Sequence, residues 1–399
     1  LEFRRVLFRS GSVISKYWGV YLNDFMRLMG WNANTNLTFG SFHIDIAPII
    51  IVAFFTTLLV FGTKIGARVD GAMTVLKIAI VFFVVIVGFF YVKASNFTPF
   101  IPPSQPASTV EGSSAVTGVM TQPLWQFATG MTPSVYGVPG ILSGAALVFF
   151  AFIGFDVVAT ASEETKNPHK NVPLGIGVGM LLIIVMYMLV AVVTTGMVSY
   201  ADLAKQDSPS LATAFELVGA DWAAKIISFG IVLGLATVVM VLLLGLTRIV
   251  FAMSRDGLLP RGLSKTGKHG TPAALQIVVG AVVALVAAFF DIGVLSDMVN
   301  IGTLSAFTLV AISIPIMRKK RPDLPRAFKM PGSPWIPILI AVANFWLMLN
   351  LSVLTWIRFV VWLVVGFAIY FGYGYWHARL GKGDLTETLS AETDKAVNG

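Results

Sequence analysis

Long uninterrupted apolar runs constrain the fold of this chain more than any other feature. They recur with lengths of roughly 18 to 25 residues, which is what an α-helix needs to cross about 30 Å of hydrocarbon at about 1.5 Å per residue. We therefore expect an all-α transmembrane protein. The sequence predicts nine spans, near residues 44–62, 71–92, 141–161, 174–197, 226–247, 272–290, 294–317, 334–353 and 357–376.

The composition supports a membrane protein and argues against several kinds of enzyme. Hydrophobic residues make up 56% of the chain and charged residues only 12%, whereas a soluble domain has about a quarter charged residues. The absence of cysteine excludes a disulfide framework and thiolate metal sites. An intramembrane enzyme needs a nucleophile with a base, or a metal cluster. Neither is found within the predicted spans, so we expect no enzyme, cofactor or metal site. The four histidines lie at span edges or in connections: His43, His169, His269 and His377.

The two ends of the chain differ from its apolar body. Residues 1–10, "LEFRRVLFRS", resemble a non-native scar and are excluded from the predicted fold. Residues 12–31 are amphipathic and form either an interfacial helix or, as we favour, the stub of a span. We expect one transmembrane domain over 11–380 and a disordered tail over 381–399.

The distribution of lysine and arginine predicts the orientation in the membrane. Alternate connections hold eighteen basic residues on one side and four on the other, and basic loops stay cytoplasmic. The C-terminus is therefore predicted to be cytoplasmic, and the loop over 93–140 to be extracellular with a short interfacial element. The basic residues behind the net charge of +8 are spread over several short loops. They therefore indicate membrane topology and do not indicate binding to nucleic acid. Contact with anionic lipid headgroups is a weaker second use of these charges.

The segment "FFAFIGFD" (149–156) places a glycine deep in a predicted span. A helix can be interrupted in hydrocarbon only where it lines a cavity or packs inside protein. A break at Gly154 would expose carbonyls that bind an ammonium group, or a helix end that binds a carboxylate. Close helix packing at a small residue is the alternative interpretation. The surrounding aromatic residues are Phe149, Phe150, Phe152 and Phe155.

Two charged residues inside predicted spans are further candidates. Asp156 is expected to face the bundle interior, where it either lines a cavity and handles protons or caps the helix after the break. Lys77 is the one basic residue well inside a predicted span. Its aliphatic stem can snorkel to the membrane interface. If the side chain instead points inward, burial would favour its neutral form and make it a proton-carrying site. The polar residues of "NIGTLSAF" (300–307) are interpreted as helix packing.

Four segments together resemble the amino acid, polyamine and organocation transporter superfamily, and within it the bacterial cationic amino acid transporter-like permeases. They occur in the family's order and the likeness covers about residues 12–382. Any one block would only be suggestive, whereas four in register are specific. The segments are "FFAFIGFDVVATASEETKNPHKNVPLGI" (149–176), "GLTRIVFAMSRDGLLP" (245–260), "NIGTLSAFTLVAI" (300–312) and "RPDLPRAFKMPGSPWIPIL" (321–339).

The resemblance implies the LeuT-like inverted-repeat fold, with substrate held between two broken helices. It implies that carbonyls around Phe149, Phe152 and Ile153 hold the substrate's amino group, with Gly154 and Phe155 in the same site. It also implies that Lys77 stands where sodium binds in sodium-coupled relatives, and it gives Asp156 no role. The family's first two to three helices have no counterpart here, so we expect an incomplete fold and a fragment that is inactive by itself.

These observations predict a secondary active transporter in the plasma membrane. We expect it to import amino acids by proton symport and alternating access, with the proton gradient as its only coupling agent. An amino acid sensor without a transport cycle is the alternative. Neutral and cationic substrates both remain open, and the lipid bilayer is the other expected partner.

Overall fold

The protein is mostly helical. The structure, a computed structural model, describes residues 2–31, 35–39, 42–61, 64–109, 118–155, 167–206, 209–260, 262, 271–322, 330 and 332–377. Its α-helices in chain order are α1 (Glu2–Leu28), α2 (Ile46–Phe61), α3 (Lys64–Phe89), α4 (Leu124–Thr129), α5 (Gly137–Val148), α6 (Pro168–Met197), α7 (Tyr200–Ala204), α8 (Leu211–Leu217), α9 (Asp221–Arg255), α10 (Ala273–Phe289), α11 (Ile292–Lys320), α12 (Trp335–Leu349), α13 (Val353–Ile369) and α14 (Tyr375–His377).

Each of the nine predicted apolar runs contains an apolar helix. Within the described ranges, the helices long and apolar enough to cross a membrane are those at Gly71–Phe89, Lys170–Met197, Asp221–Arg255, Ile292–Lys320 and Val353–Tyr373. Four shorter apolar helices fill the other runs, at Ile46–Phe61, Gly137–Phe152, Ala273–Phe289 and Trp335–Leu349. The chain is therefore a multi-pass membrane protein, while nine full spans and the LeuT-like fold stay predictions. The predicted tail over 381–399 lies outside the described residues.

Short β-strands accompany the helices of this mostly helical chain. Strands β1 (Asn36–Phe39) and β2 (Phe42–Asp45) pair antiparallel, with Asn36 opposite Asp45. Strands β3 (Gln105–Pro106) and β4 (Ser134–Val135) form a second antiparallel pair inside the predicted extracellular loop. Both pairs lie in connections between helices, where backbone groups outside the helices pair with one another. Helix α4 lies between β3 and β4, where the short interfacial element was predicted.

Helix α9 lies at the centre of the bundle. Its buried residues Val239, Leu243 and Leu246 join α2 and α10 in one apolar core. Nearer its start, Ala224 and Ile227 join α3, α6 and α8 in a second core. Helix α9 therefore carries apolar side chains on more than one face, as a helix surrounded by others must.

Helix α1 is packed inside the bundle. Its main neighbours are α9 and α11. Buried Ser12 donates through Oγ to the Val283 carbonyl oxygen at 3.1 Å, and Trp18 donates through Nε1 to the Val232 carbonyl oxygen at 3.0 Å. Such interhelical hydrogen bonds satisfy polar groups where water is absent. The helix therefore occupies the interior and does not lie along an interface, and its backbone includes residues 2–10.

Helix α1 carries a buried cation, Lys16. Lys16 donates through Nζ to the Phe290 carbonyl oxygen at 2.7 Å, and its side chain is 9% exposed. Its charge also acts on Asp45, in the strand before α2. Lys16 thus has a structural role in joining α1 to the ends of α2 and α10.

The contact between α2 and α10 gives the first prediction. A Cβ atom at Gly280 would overlap the Oγ1 and Cγ2 atoms of Thr56. We expect Gly280→Ala to lower the free energy of unfolding by about 1–3 kcal/mol through overpacking. Unfolding of purified protein in detergent measures this change.

Two variants control the packing prediction. Thr56 Oγ1 is buried without a hydrogen-bond partner in the described part of the chain, so Thr56→Ala alone breaks no hydrogen bond. Adding Thr56→Ala to Gly280→Ala should restore most of the lost stability. In α6, Gly177→Ala meets no atom within 4 Å and should be neutral. Equal stability of the Gly280 and Gly177 variants would contradict the close contact.

Candidate functional site

The predicted interruption at Gly154 is confirmed by the backbone. Helix α5 ends at Val148 and continues as a single 3₁₀ turn over Phe149–Phe152. Ile153 is then extended, with φ −71° and ψ 132°, and Gly154 has φ +139°. No α-helix can pass through two such residues. The apolar run at 141–161 therefore contains a break within the bundle.

Backbone conformation explains the glycine. A φ of +139° is rarely adopted by residues with a side chain. A Cβ atom at Gly154 would find no described atom within 4 Å. Among the described residues, the positive φ and not a close helix contact accounts for the glycine.

The break changes the hydrogen bonding of the preceding carbonyl groups. The last carbonyls of a helix have no α-helical partner, and here two of them receive side-chain donors. Tyr187 in α6 donates its hydroxyl to the Ala151 carbonyl oxygen at 2.9 Å. Asn300 in α11 donates through Nδ2 to the Leu147 carbonyl oxygen at 3.1 Å. Neighbouring helices thus hold the end of α5 in its unwound form.

A cavity of about 840 Å³ lies beside the break, and we call it the central cavity. Its size suits a small organic ligand, since such sites occupy about 300–1,000 Å³. The lining comes from the break at Phe150–Phe155 and from α1, α3, α6, α9 and the start of α11. The main chain of an interrupted helix therefore faces a space large enough for an amino acid.

Lys77 belongs to the same cavity. It lies on α3 and is one of the lining residues. Its stem runs beside Gly234 of α9, where a Cβ atom would come within 3.2 Å of the lysine Cγ and 3.6 Å of Cε. The side chain therefore lies between α3 and α9, beside the central cavity.

The structure brings most of the predicted site residues together. Phe152, Ile153, Gly154 and Phe155 all line the central cavity with Lys77. The Phe152 ring meets Tyr187 with centroids 5.2 Å apart, and the Phe155 ring meets Phe307 at 5.2 Å.

Two predicted site residues are not placed on the cavity. Phe149 packs against Phe307 at 6.1 Å and joins the core formed by α5, α11 and α12. Its side chain supports the turn and does not line the cavity. Asp156 lies outside the described residues, so its two interpretations stay open.

Some cavity residues were not predicted. Tyr187 contributes both a hydroxyl donor and an aromatic ring, and Tyr17 and Ser296 add hydroxyl groups to the lining. A single tyrosine in the apolar run of α6 was the available signal, because a hydroxyl in hydrocarbon needs a partner. Over the described ranges, no group of three or more histidine, aspartate or glutamate residues comes together as a metal site.

The sequence matches a known family model over nearly all of this structure. The model is described as "Amino acid permease", and it matches residues 12–374. The chain belongs to the amino acid permease family. The superfamily that the four sequence segments predicted is thereby confirmed.

Individual relatives of this permease carry different substrates in their names. A branched-chain amino acid permease of Bacillus subtilis is 39% identical over 93% of this chain and 74% of its own length. A methylthioribose transporter of the same organism is 38% identical over 84% of the chain and 65% of its length. The vacuolar cationic amino acid transporter 4 of Arabidopsis thaliana is 34% identical over 70% of the chain and 42% of its length.

The broken segment gives the second prediction. Gly154→Ala forces an L side chain into a strained conformation, which costs about 1–3 kcal/mol. If the break must form for substrate to bind, affinity should fall about five- to 150-fold. Equilibrium binding of labelled amino acid to the permease in nanodiscs measures the change. Gly144→Ala, in a regular turn of α5 with no atom within 4 Å, should bind as wild type does. Unchanged affinity in the Gly154 variant would contradict the role of the break.

Proposed function

We propose that the complete protein is a secondary transporter for a neutral, apolar amino acid. It works by alternating access around the central cavity and couples uptake to protons. The single observation that carries the proposal is the interrupted helix α5, whose main chain faces a cavity of amino acid size. In membranes, irregular backbone at depth marks substrate sites in this way.

The lining of the central cavity favours a neutral side chain. Among the described lining residues, Lys77 is the charged one, and the others are apolar, glycine, tyrosine or serine. A cationic substrate side chain would bring a second positive charge beside this lysine. No carboxylate is among the described lining residues to balance the added charge. An aliphatic side chain would instead bury its surface against Ile14, Val238, Val241 and Leu242.

The relatives agree with amino acid transport but do not decide the substrate. One is named for branched-chain amino acids, one for cationic amino acids and one for methylthioribose. The cavity chemistry is closest to the first of these. Because the chain spans 74%, 65% and 42% of these three proteins, transport is proposed for the complete protein.

Lys77 is the proposed proton carrier. It lines the cavity together with the broken segment, so its charge and a bound substrate share one space. Losing a proton there removes a positive charge from the cavity, and regaining it from the outer solution would reset the cycle. The membrane orientation predicted from the basic loops makes this cycle inward-directed, with a cytoplasmic C-terminus.

A substrate panel tests the function directly. Proteoliposomes holding the complete protein should take up labelled leucine under an inward proton gradient. Excess valine or isoleucine should compete, whereas arginine, lysine and methylthioribose should compete poorly. Leucine binding without uptake or counterflow would identify a sensor and refute transport. Stronger competition by arginine would refute the neutral substrate class.

Replacing Lys77 tests the coupling. We expect Lys77→Gln to abolish proton-driven accumulation and to preserve leucine counterflow, because counterflow needs the site but no net proton movement. Accumulation and counterflow are measured in the same proteoliposomes. Lys93→Gln removes an exposed lysine after α3 and should leave both unchanged. Full accumulation by the Lys77 variant across the proton gradient would disprove the coupling role.

A further inference from the structure

A second cavity of about 680 Å³ lies beyond the beginning of α5, and we call it the outer cavity. It is lined by β4 and the start of α5, by α7, by Asp297 of α11 and by the connection between α12 and α13. The basic-loop pattern predicts that this end of the bundle faces outward. Neither the family match nor the sequence motifs assign it a role.

A fixed carboxylate forms one wall of the outer cavity. Asp297 Oδ2 accepts a hydrogen bond from Thr355 Oγ1 at 3.0 Å. The Thr355 hydroxyl also lies 2.8 Å from Ser352 Oγ, and Ser352 caps α13 by accepting from the Thr355 amide at 3.2 Å. The start of α13 thus orients one oxygen of Asp297, and the carboxylate lines the cavity in a defined position.

One residue that lines the same cavity, Asn350, has a buried acceptor without a partner in the described part of the chain. Asn350 is 4% exposed, and its Nδ2 donates to the Trp346 carbonyl oxygen at 2.8 Å. That bond fixes the amide, yet its Oδ1 has no hydrogen-bond partner among the residues that the structure describes. A buried acceptor left unpaired costs about 1–3 kcal/mol, so a donor supplied by a ligand would be stabilising.

Two tyrosine rings complete the outer cavity. Tyr136 and Tyr200 line it with their ring centroids 5.1 Å apart. No lysine or arginine is among its described lining residues. Arg358, one turn beyond Thr355, acts on Asp297 electrostatically without lining the cavity. A carboxylate, an amide oxygen and aromatic faces are together the groups that recognise an organic ammonium ion.

The outer and central cavities share one wall. Leu147 of α5 lines both of them, and its carbonyl oxygen is held by Asn300. The broken segment begins two residues later. The two cavities therefore adjoin at Leu147, close to the unwound main chain.

We propose that the outer cavity is a binding site for the ammonium group of an incoming amino acid, held by Asp297 and Asn350 before it passes Leu147. This inference rests on the proposed function, since it places the outer site before the central one. The outer cavity is then a second, weaker binding site that the substrate occupies before the central one. It selects for an amino group, and the central cavity afterwards selects for the side chain.

An amine without a carboxylate tests the outer site separately. The probe is 3-methylbutylamine, and binding to the protein in nanodiscs is measured by calorimetry with empty nanodiscs subtracted. Asp297→Asn keeps the shape and the acceptor for Thr355 but removes the charge, and it should weaken amine binding at least about tenfold. Asp291→Asn is the matched control, because Asp291 is exposed at the start of α11 without a side-chain cap bond, and it should bind as wild type does.

A second variant keeps the test valid if Asp297→Asn does not fold. Tyr200→Leu changes a ring that is 41% exposed and should weaken amine binding about two- to fivefold. The uncharged analogue 3-methylbutanol should not bind at this site. Equal amine affinity in wild type, Asp297→Asn and Tyr200→Leu would overturn the proposal. Displacement of the amine by sodium but not by leucine would also overturn it, by assigning the site to an inorganic ion.

Transport measurements separate this inference from the proposed function. Asp297→Asn should raise the KM for leucine entering from the outer side, with little change in maximal rate. If the protein proves not to transport, amine binding still reports on the outer site by itself. If transport is confirmed and the KM of Asp297→Asn matches that of Asp291→Asn, the outer site fails while the central one stands.

Discussion

Every main-chain carbonyl inside hydrocarbon needs a hydrogen-bond donor, and this requirement organises the structure around α5. A break at Gly154 interrupts the regular donors of the helix. Tyr187 and Asn300, on two different helices, supply donors to Ala151 and Leu147. The remaining polar main chain borders the central cavity, where water or a ligand can reach it. The break and the cavity are therefore two aspects of one arrangement.

The rest of the bundle supports that arrangement by packing. Helix α9 lies in the middle and joins two apolar cores, while α1 is tied to its neighbours by buried side-chain donors. Helices at the periphery leave large apolar side chains exposed, such as Leu181 at 64%, as suits contact with lipid. The packed inner helices around the broken one give the central cavity its shape.

The sequence predicts those features that depend on a single residue or on a single apolar segment. Apolar length located the long helices, and a glycine deep in such a run located the break. Lys77 was recognised as a candidate, but its direction depends on the space beside Gly234, which no local pattern reveals. The strand pairs, the Tyr187 contact and the outer cavity depend on residues far apart in the chain. Phe149 was placed in the site by resemblance, yet its ring packs into the core.

The most direct test of this account is an experimental density map of the protein in nanodiscs with leucine bound. We expect the leucine ammonium within hydrogen-bond distance of main-chain carbonyls between Phe149 and Ile153, and its side chain against the apolar wall of the central cavity. A continuous helix through Gly154, with leucine bound elsewhere, would contradict the account.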